Sequence, residues 1–214
     1  MSEPTLTTVW TGGRRKLGKD AVFGPWVKHI GTIRLPVSEV TPFYYLVRAI
    51  CYQQLAGKAA QTIHGRVVEA LKGDVSPQKV LRVRETTLRG AGLSGNKCAA
   101  IRDLATKIRS GEVDVHDLDD QPDEEIIRRL VAVRGIGVWT AQMYLMFRLH
   151  RPDVWPIGDL GVRAGYAKAH GLDEYPTEKQ LEPLGDIYGP WRSAAAWYCY
   201  RVLETELPQG AQGD

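Results

Sequence analysis

Gly135, Gly137 and Asp159 are the residues of this chain whose types and spacing could do chemistry. The two glycines lie between apolar segments of helical periodicity, which predicts two helices joined by a sharp turn. Backbone amides at such a turn, at the start of a helix, can bind a phosphate without any side chain. Asp159 follows a loop and precedes the next helical pattern. Its carboxylate could therefore act on the molecule to which that phosphate belongs.

A structural explanation also exists for Asp159, because aspartate is among the best residues for capping the N-terminus of a helix. A helix is predicted to begin at Leu160. The two roles are compatible, since the positive end of a helix attracts negative charge. Asp159 is thus a candidate cap and a candidate catalytic residue at the same time.

The composition is that of an ordinary globular protein, with 43% hydrophobic and 25% charged residues in a chain of 214. The net charge of +3 and the pI near 8.7 are mildly basic, which suits a protein that binds a few phosphates and releases them. No apolar stretch is long enough to span a bilayer, and the first residues lack the features of a signal peptide. We expect a soluble protein that is cytoplasmic and nucleoid-associated if bacterial, or nuclear if eukaryotic.

The cysteines and histidines give no sign of a metal site held by side chains. Cys51, Cys98 and Cys199 are far apart and odd in number, so neither a disulfide framework nor a Cys-x-x-Cys site is supported. The five histidines lack the spacings of zinc motifs. The cysteines are predicted to be buried as small apolar side chains.

Helical periodicity dominates the chain and predicts an all-α protein. Residues 1–19 are polar and are predicted to form a loose N-terminal arm, and residues 88–95, with three glycines, a turn. Helices are predicted at about residues 20–30, 43–51, 58–71, 76–83, 97–108, 124–133, 160–170, 177–184 and 191–206. The expected helix caps are Asp20, Ser76, Ser94, Asp123 and, in a capping box with Gln180, Thr177.

Five blocks of the sequence together resemble the helix-hairpin-helix DNA glycosylases, and within them the 3-methyladenine DNA glycosylase II (AlkA-like) branch. The blocks lie at residues 50–60, 92–97, 130–141, 156–163 and 189–193. The third block contains the two glycines of the turn, and the fourth contains Asp159. The resemblance covers about residues 43–201. The hairpin alone would indicate only DNA binding, whereas five blocks in order indicate a glycosylase.

The resemblance implies a two-lobed helical bundle with a helix-hairpin-helix at residues 126–148 and a cleft between the lobes. Residues 43–150 are expected to form the lobe with the hairpin. The N-terminal arm and helix, residues 1–42, are expected to pack with the C-terminal lobe, residues 151–214, which also carries the catalytic loop.

By this resemblance Asp159 is the catalytic residue. Cleavage of an N-glycosidic bond builds positive charge on the sugar, which a fixed carboxylate stabilises; the carboxylate could also orient or deprotonate the attacking water. Relatives that also cut the DNA backbone carry a nucleophilic lysine where this chain has Thr140, so a monofunctional enzyme is expected. Another branch holds an iron–sulfur cluster on four cysteines after the catalytic region. Only Cys199 follows Asp159 here, so neither an iron–sulfur cluster nor any required cofactor is expected.

The hairpin is expected to bind the DNA backbone through the amides of Gly135 and Gly137, without reading sequence. In the family such a hairpin often holds a monovalent cation, Na⁺ or K⁺. The matching carbonyls here are those of Val131, Val133 and Ile136.

A flipped-out base leaves a gap in the duplex that a side chain must fill. The resemblance assigns this wedge to the turn Gln53-Gln54-Leu55, with Gln54 slightly ahead. A core position for Leu55 and capping roles for the glutamines are an equally open alternative. Further candidates for DNA contacts are Thr140, Lys97, Arg163, Lys58 and Arg192, although each charge alone could be a solvated surface residue.

The pocket for the flipped base is expected to be aromatic, because alkylated purines are cationic and stack on π-faces. Trp139 and Trp191 match the pocket tryptophans of the family. Tyr144 is expected to line the same wall, and Met143 stands where some relatives have a pocket tyrosine. The other tryptophans considered, Trp10, Trp26 and Trp197, are expected to be packing residues.

The sequence therefore predicts a monomeric, monofunctional DNA glycosylase. It would flip alkylated purines of the 3-methyladenine or 7-methylguanine type out of double-stranded DNA and excise them by hydrolysis, which starts base excision repair. Its partner would be DNA with damaged bases, and no membrane would be involved. The alternatives are a glycosylase for oxidised or deaminated bases, or a non-catalytic DNA-binding protein. A pure binder would have no use for Asp159, whose charge repels phosphate.

Overall fold

The computed structural model describes residues 5–55 and 57–207, so residues 1–4 of the predicted arm lie outside the described residues. This part of the chain is mostly helical, which confirms the predicted fold class. A short antiparallel pair of strands, β1 (Leu6–Thr8) and β2 (Arg34–Pro36), was not predicted. The α-helices are α1 (Thr11–Leu17), α2 (Phe23–Ile30), α3 (Pro42–Tyr52), α4 (Gly57–Ala70), α5 (Pro77–Arg82), α6 (Glu85–Gly90), α7 (Gly95–Ser110), α8 (Asp123–Val131), α9 (Val138–Phe147), α10 (Leu160–His170), α11 (Glu178–Leu184) and α12 (Arg192–Leu203).

The chain divides into two compact units. The first unit consists of the described parts of Met1–Ser38 and Leu145–Asp214, and the second unit is Glu39–Tyr144. These boundaries differ from the predicted ones, which were placed after residues 42 and 150. The second boundary falls inside α9, which continues to Phe147. No loop therefore marks it in the sequence.

Helices α10 and α12 form the centre of the first unit, and α1 and α2 pack against α12. The close approach of α10 to α12 depends on Gly161 and Gly165, which lie one turn apart on the same face of α10. A Cβ atom on Gly165 would collide with the backbone of Cys199. The three cysteines of the chain are buried, as predicted.

The N-terminal segment is not a loose arm, and that prediction was wrong. Residues 5–19 form β1, α1 and a turn. Trp10 is buried, and its indole N–H donates to the carbonyl of His150 at 2.7 Å. Gly12 of α1 lies directly against the indole of Trp191, an approach that any side chain would prevent. The glycines that suggested an arm lie on the packed face of α1, and the basic residues lie on its exposed face.

In the second unit, α3 packs against α4 and α7, and α5 packs against α7. The inward residues of these helices repeat at helical spacing, as the sequence predicted. They include Leu46, Ile50, Ala60, Val67, Val80, Ile101 and Leu104. None of the helices among residues 5–55 and 57–207 is both long and apolar enough to cross a membrane.

Three of the predicted helix caps are confirmed. The side chains of Ser76, Ser94 and Thr177 accept backbone amide hydrogens at the N-caps of their helices, and Thr177 completes its capping box with Gln180. Asp20 also accepts amide hydrogens, from Val22 and Phe23, but the N-cap of α2 is Val22. Asp123 is instead the first residue of α8, whose N-cap is Pro122. Residues 88–95 are not only a turn, because α6 extends to Gly90.

Candidate active site

Asp159 lies at the N-cap of α10, and only 7% of its surface is exposed. Its Oδ1 accepts the amide hydrogen of Val162 at 3.0 Å, and its carbonyl accepts that of Arg163 at 3.0 Å. The Asp159 amide donates to the carbonyl of Pro156. The loop and the helix thus hold one carboxylate in a fixed place, at the end of the helix that attracts negative charge.

The second carboxylate oxygen is bound by Tyr200, a residue that the sequence did not single out. The Tyr200 hydroxyl donates to Asp159 Oδ2 at 2.8 Å. Burial and then the neighbouring Asp159 charge raise the pKa of the Tyr200 phenol, so that it stays protonated and remains a donor. No sequence pattern links two residues 41 positions apart. The related feature of the sequence is Gly161, because a Cβ atom at that position would lie 2.9 Å from the Tyr200 ring.

Trp191, a predicted pocket residue, is in the same unit, at the N-cap of α12. Its indole packs against Gly12, and its amide donates to the carbonyl of Tyr188 at 2.8 Å. The next residue, Arg192, makes a bidentate ion pair with Asp153, with both N–O distances at 2.8 Å. These hydrogen bonds lower the pKa of Asp153. Arg192 is therefore held beside Trp191 by its ion pair with Asp153, and a phosphate contact of its guanidinium stays a prediction.

The hairpin turn lies between α8 and α9, and Gly135 has a φ of 76° there. This left-handed conformation is the reason for glycine at that position. Asp103 of α7 accepts the amide hydrogen of Arg134 at 2.8 Å and holds the turn on that helix. Gly137 lies exposed immediately before α9. The predicted turn is therefore present at the surface of the second unit, and its binding of phosphate stays a prediction.

A hydrogen-bond network joins this hairpin to the turn between α3 and α4. Gln53 Nε2 donates to the Gly135 carbonyl at 3.0 Å and to Thr140 Oγ1 at 3.3 Å, and Thr140 is buried. Lys97 Nζ donates to the carbonyls of Cys51 and Gln53 at 2.8 and 2.7 Å. Gln53, Thr140 and Lys97 were predicted to contact DNA. In the structure these polar groups hydrogen-bond to protein atoms and set the position of both turns, and their contact with DNA stays a prediction.

The other two residues of the α3–α4 turn lie at the surface. Gln54 has a φ of 56° and is exposed, and Leu55 is 40% exposed. A core position for Leu55, which was the alternative to a wedge, is therefore wrong. Gln54 and Leu55 both stay candidates for the side chain that fills the gap in DNA.

The predicted pocket residues on α9 differ in accessibility. Trp139 is 45% exposed and Met143 is partly exposed. Tyr144 is fully buried, its hydroxyl donates to Asp119 at 2.6 Å, and its ring meets Tyr45 edge to face. The prediction that Tyr144 lines a pocket wall was wrong, because one residue along a helix turns the side chain by about 100°. That rotation carries Tyr144 into the core.

Of the remaining residues predicted to contact DNA, one is hydrogen-bonded to protein and one is exposed. Arg163 Nε donates to the carbonyl of Pro176 at 2.6 Å and supports the loop before α11. Lys58 lies exposed near the start of α4. The first unit contains Asp159, Tyr200, Trp191 and Arg163, and the second contains the hairpin, Trp139, Met143, Gln54, Leu55 and Lys58.

The carbonyls predicted to hold a monovalent cation have suitable chemistry. The Val133 carbonyl accepts the amide hydrogen of Ile136 at 3.1 Å, and a carbonyl oxygen has a second lone pair. Val131 is the last residue of α8, where carbonyls have no partner within the helix. Neutral carbonyl oxygens are the ligands that alkali cations take in proteins. Within the described residues, no cluster of His, Cys, Asp or Glu could hold a metal ion.

Comparisons with known proteins agree with this geometry. The family described as HhH-GPD superfamily base excision DNA repair protein matches residues 47–187. The chain is 32% identical to DNA-3-methyladenine glycosylase 1 of Schizosaccharomyces pombe, over 86% of this chain and 83% of that protein. The structure of that yeast's 3-methyladenine DNA glycosylase Mag1 in complex with abasic DNA is similar with a TM-score of 0.84 and 31% identity, covering 93% of this chain and 100% of that chain. A DNA-3-methyladenine glycosidase from Bacillus halodurans gives a TM-score of 0.81 and 31% identity, covering 94% and 93%.

Proposed function

Since the chain belongs to the HhH-GPD superfamily of base excision DNA repair proteins, we propose that it is a DNA glycosylase that removes alkylated purines of the 3-methyladenine type from double-stranded DNA. The observation that carries this function is Asp159, a buried carboxylate with a fixed position in a chain similar over most of its length to 3-methyladenine glycosylases. The basic character of the chain suits a DNA substrate. We further propose that the protein acts as a monomer.

The reaction is hydrolysis of the bond between sugar C1′ and the purine nitrogen. As that bond breaks, its electron pair moves to the base, which carries a positive charge and leaves as a neutral molecule. The sugar gains positive charge, and Asp159 stabilises it. Water then bonds to C1′ and releases one proton to solvent. A cationic base is already a good leaving group, so one well-placed charge is sufficient assistance.

The base that leaves the duplex needs a surface on which to stack. Trp139 offers one, because it is on the first turn of α9 and 45% exposed. Trp191 of the first unit is partly exposed and is a separate candidate for such a surface. Stacking on an aromatic ring contributes about 1–3 kcal/mol per base, and a cationic purine gains further attraction from the π-face.

The absence of a lyase step is a separate part of the proposal. Lyase activity in related enzymes needs an amine that forms a Schiff base with the sugar. Thr140 stands at that position, and its hydroxyl accepts a hydrogen bond from Gln53. Borohydride should therefore trap no covalent complex between the protein and DNA, and a trapped complex would contradict a monofunctional enzyme.

The function is tested with methylated duplex DNA and three proteins: wild type, Asp159→Asn and Asp74→Asn. Asparagine caps helices as well as aspartate, so Asp159→Asn should fold normally and release no methylpurine above background. Asp74 is an exposed carboxylate of the second unit, and Asp74→Asn should match wild type. If wild type frees no methylpurine, or if Asp159→Asn is as active, the function is wrong. Duplexes with 8-oxoguanine or hypoxanthine test whether oxidised or deaminated bases are preferred instead.

The wedge is tested with Gln54→Ala, Leu55→Ala and the matched control Gln61→Ala, an exposed glutamine of α4. Loss of the side chain that fills the gap should slow single-turnover excision by about 10-fold, which corresponds to one lost stacking contact. The same variant should reduce the fluorescence change of a 2-aminopurine placed beside the lesion. Equal rates for all three variants would show that this turn supplies no wedge.

A further inference from the structure

We propose that Tyr200 is a positioning residue for Asp159, and that its hydroxyl holds the carboxylate in the orientation that the excision reaction needs. This inference rests on the proposed glycosylase function for the rate effect, but the hydrogen bond itself can be tested without any activity. The motivating contact is the 2.8 Å bond from the Tyr200 hydroxyl to Asp159 Oδ2.

The two oxygens of Asp159 have donors from different elements. Oδ1 is bound by the Val162 amide of α10, and Oδ2 by Tyr200 of α12. A carboxylate held at one oxygen can still turn about its Cβ–Cγ bond, whereas two donors fix its plane. When positive charge develops on the sugar, a carboxylate that is already in place stabilises it without first having to reorient.

The Tyr200 ring is itself held in place. It packs on Phe147, with ring centroids 6.2 Å apart and planes at 45°. The backbone of Gly161 also lies close to the ring. A Cβ there would be 2.9 and 3.0 Å from the Cε1 and Cδ1 atoms of Tyr200, and 3.1 Å from Asp159 Oδ1. The absence of a side chain at position 161 is thus what allows tyrosine and carboxylate to meet.

The proton of this hydrogen bond stays on the tyrosine. Burial raises the pKa of the Tyr200 phenol, and the adjacent carboxylate raises it further. Other ionisable groups on the packed elements are the Cys199 thiol of α12, whose pKa is also raised by burial, Glu178 of α11, close to the backbone of Gly158, and Arg163 of α10. None of these groups is altered when the Tyr200 hydroxyl is removed.

Without the hydroxyl, Asp159 Oδ2 loses this donor, and the plane of the carboxylate is less constrained. The Tyr200→Phe variant should therefore excise methylpurines about 10-fold more slowly at neutral pH, in line with the loss of a hydrogen bond to a charged group. Affinity for abasic duplex DNA should stay the same, because Tyr200 acts through Asp159.

The matched control is Tyr198→Phe. Tyr198 is also a buried tyrosine of α12, and its hydroxyl donates at 2.7 Å to the carbonyl of Gly31. This variant loses a hydroxyl and a hydrogen bond from the same helix, but it leaves Asp159 untouched. Its excision rate should match that of wild type. If Tyr200→Phe and Tyr198→Phe excise methylpurines at the same rate, the positioning role is wrong.

A second measurement separates this inference from the proposed function. Protein labelled with ¹³C at the aspartate carboxyl carbons is observed by NMR at neutral pH, and the signal of Asp159 is assigned by its loss in Asp159→Asn. The chemical shift of this signal should change in Tyr200→Phe and stay unchanged in Tyr198→Phe, whether or not the protein excises any base. An unchanged Asp159 signal in Tyr200→Phe overturns the inference. If wild type is inactive but the Asp159 signal shifts in Tyr200→Phe, the glycosylase function is refuted and the hydrogen bond is confirmed.

Discussion

Substitution of Gly165 by alanine is the sharpest perturbation of the unit that holds Asp159. A Cβ on Gly165 would touch the Cys199 carbonyl oxygen and lie 2.5 Å from its carbon and 2.7 Å from its Cα. These are backbone atoms of α12, so no side-chain rotation can make room. Normal contacts begin at 3.4 Å, and the two helices would have to separate by roughly 1 Å, an overpacking that costs about 1–3 kcal/mol.

Helix propensity opposes this cost, because alanine in place of a helical glycine stabilises by about 0.5–1 kcal/mol. The overpacking should exceed that gain, so Gly165→Ala is expected to lower the free energy of unfolding by about 1–2 kcal/mol. The melting temperature should then fall by about 2–8 °C for a chain of this size. Urea unfolding followed by circular dichroism measures the first quantity, and thermal denaturation the second.

The control is the same substitution at Gly65, which is exposed in α4 and would have no heavy atom within 4 Å of its Cβ. There only the helix propensity acts, and Gly65→Ala should raise the free energy of unfolding by about 0.5–1 kcal/mol. Opposite signs for the two variants are the expected result. If Gly165→Ala is as stable as wild type, the close approach of α10 and α12 is not a packing constraint.

Further outcomes are expected for groups outside the reaction. Tyr144→Phe should lower the free energy of unfolding by about 1–2 kcal/mol in urea, because Asp119 loses a donor in the core. The Arg192 hydrogen bonds lower the pKa of Asp153, so their contribution is present above the unfolded pKa of about 3.9 and is lost as pH falls through the folded value. Asp153→Asn should flatten that acid dependence of the melting temperature. Burial lowers the pKa of His170, so stability should also fall as pH drops below about 6.5, and His170→Gln should remove this loss.

The helices could be predicted because their signals are local. Ser76, Ser94 and Thr177 each carry an oxygen that accepts an amide three residues later, and the structure confirms all three. The N-terminal segment could not be predicted, since its helix depends on Gly12 meeting Trp191 from the far end of the chain. Glycine disfavours an isolated helix, and only the packing partner reverses that preference.

In the site, too, the residue with a local signal could be predicted and the long-range contacts could not. Asp159 follows from its position before a helix and from the blocks around it, and the structure places it at that cap. The engagement of Gln53 and Lys97 with backbone carbonyls could not be predicted, because each bond joins segments more than 40 positions apart. A lysine or glutamine in a glycosylase block was interpreted as a DNA contact. In this fold they hold in place the hairpin that is proposed to make such a contact.

The helix cap and the proposed catalytic group are one residue for a physical reason. An N-cap aspartate is held by a backbone amide, here that of Val162, and a group that stabilises a helix cannot drift without cost to the fold. A carboxylate that stabilises charge requires such a fixed position, because it must be in place before the sugar becomes positive. The cap orients only one oxygen, however. Tyr200 constrains the other carboxylate oxygen, Oδ2. The cap therefore determines the position of the carboxylate, and the tyrosine determines its orientation.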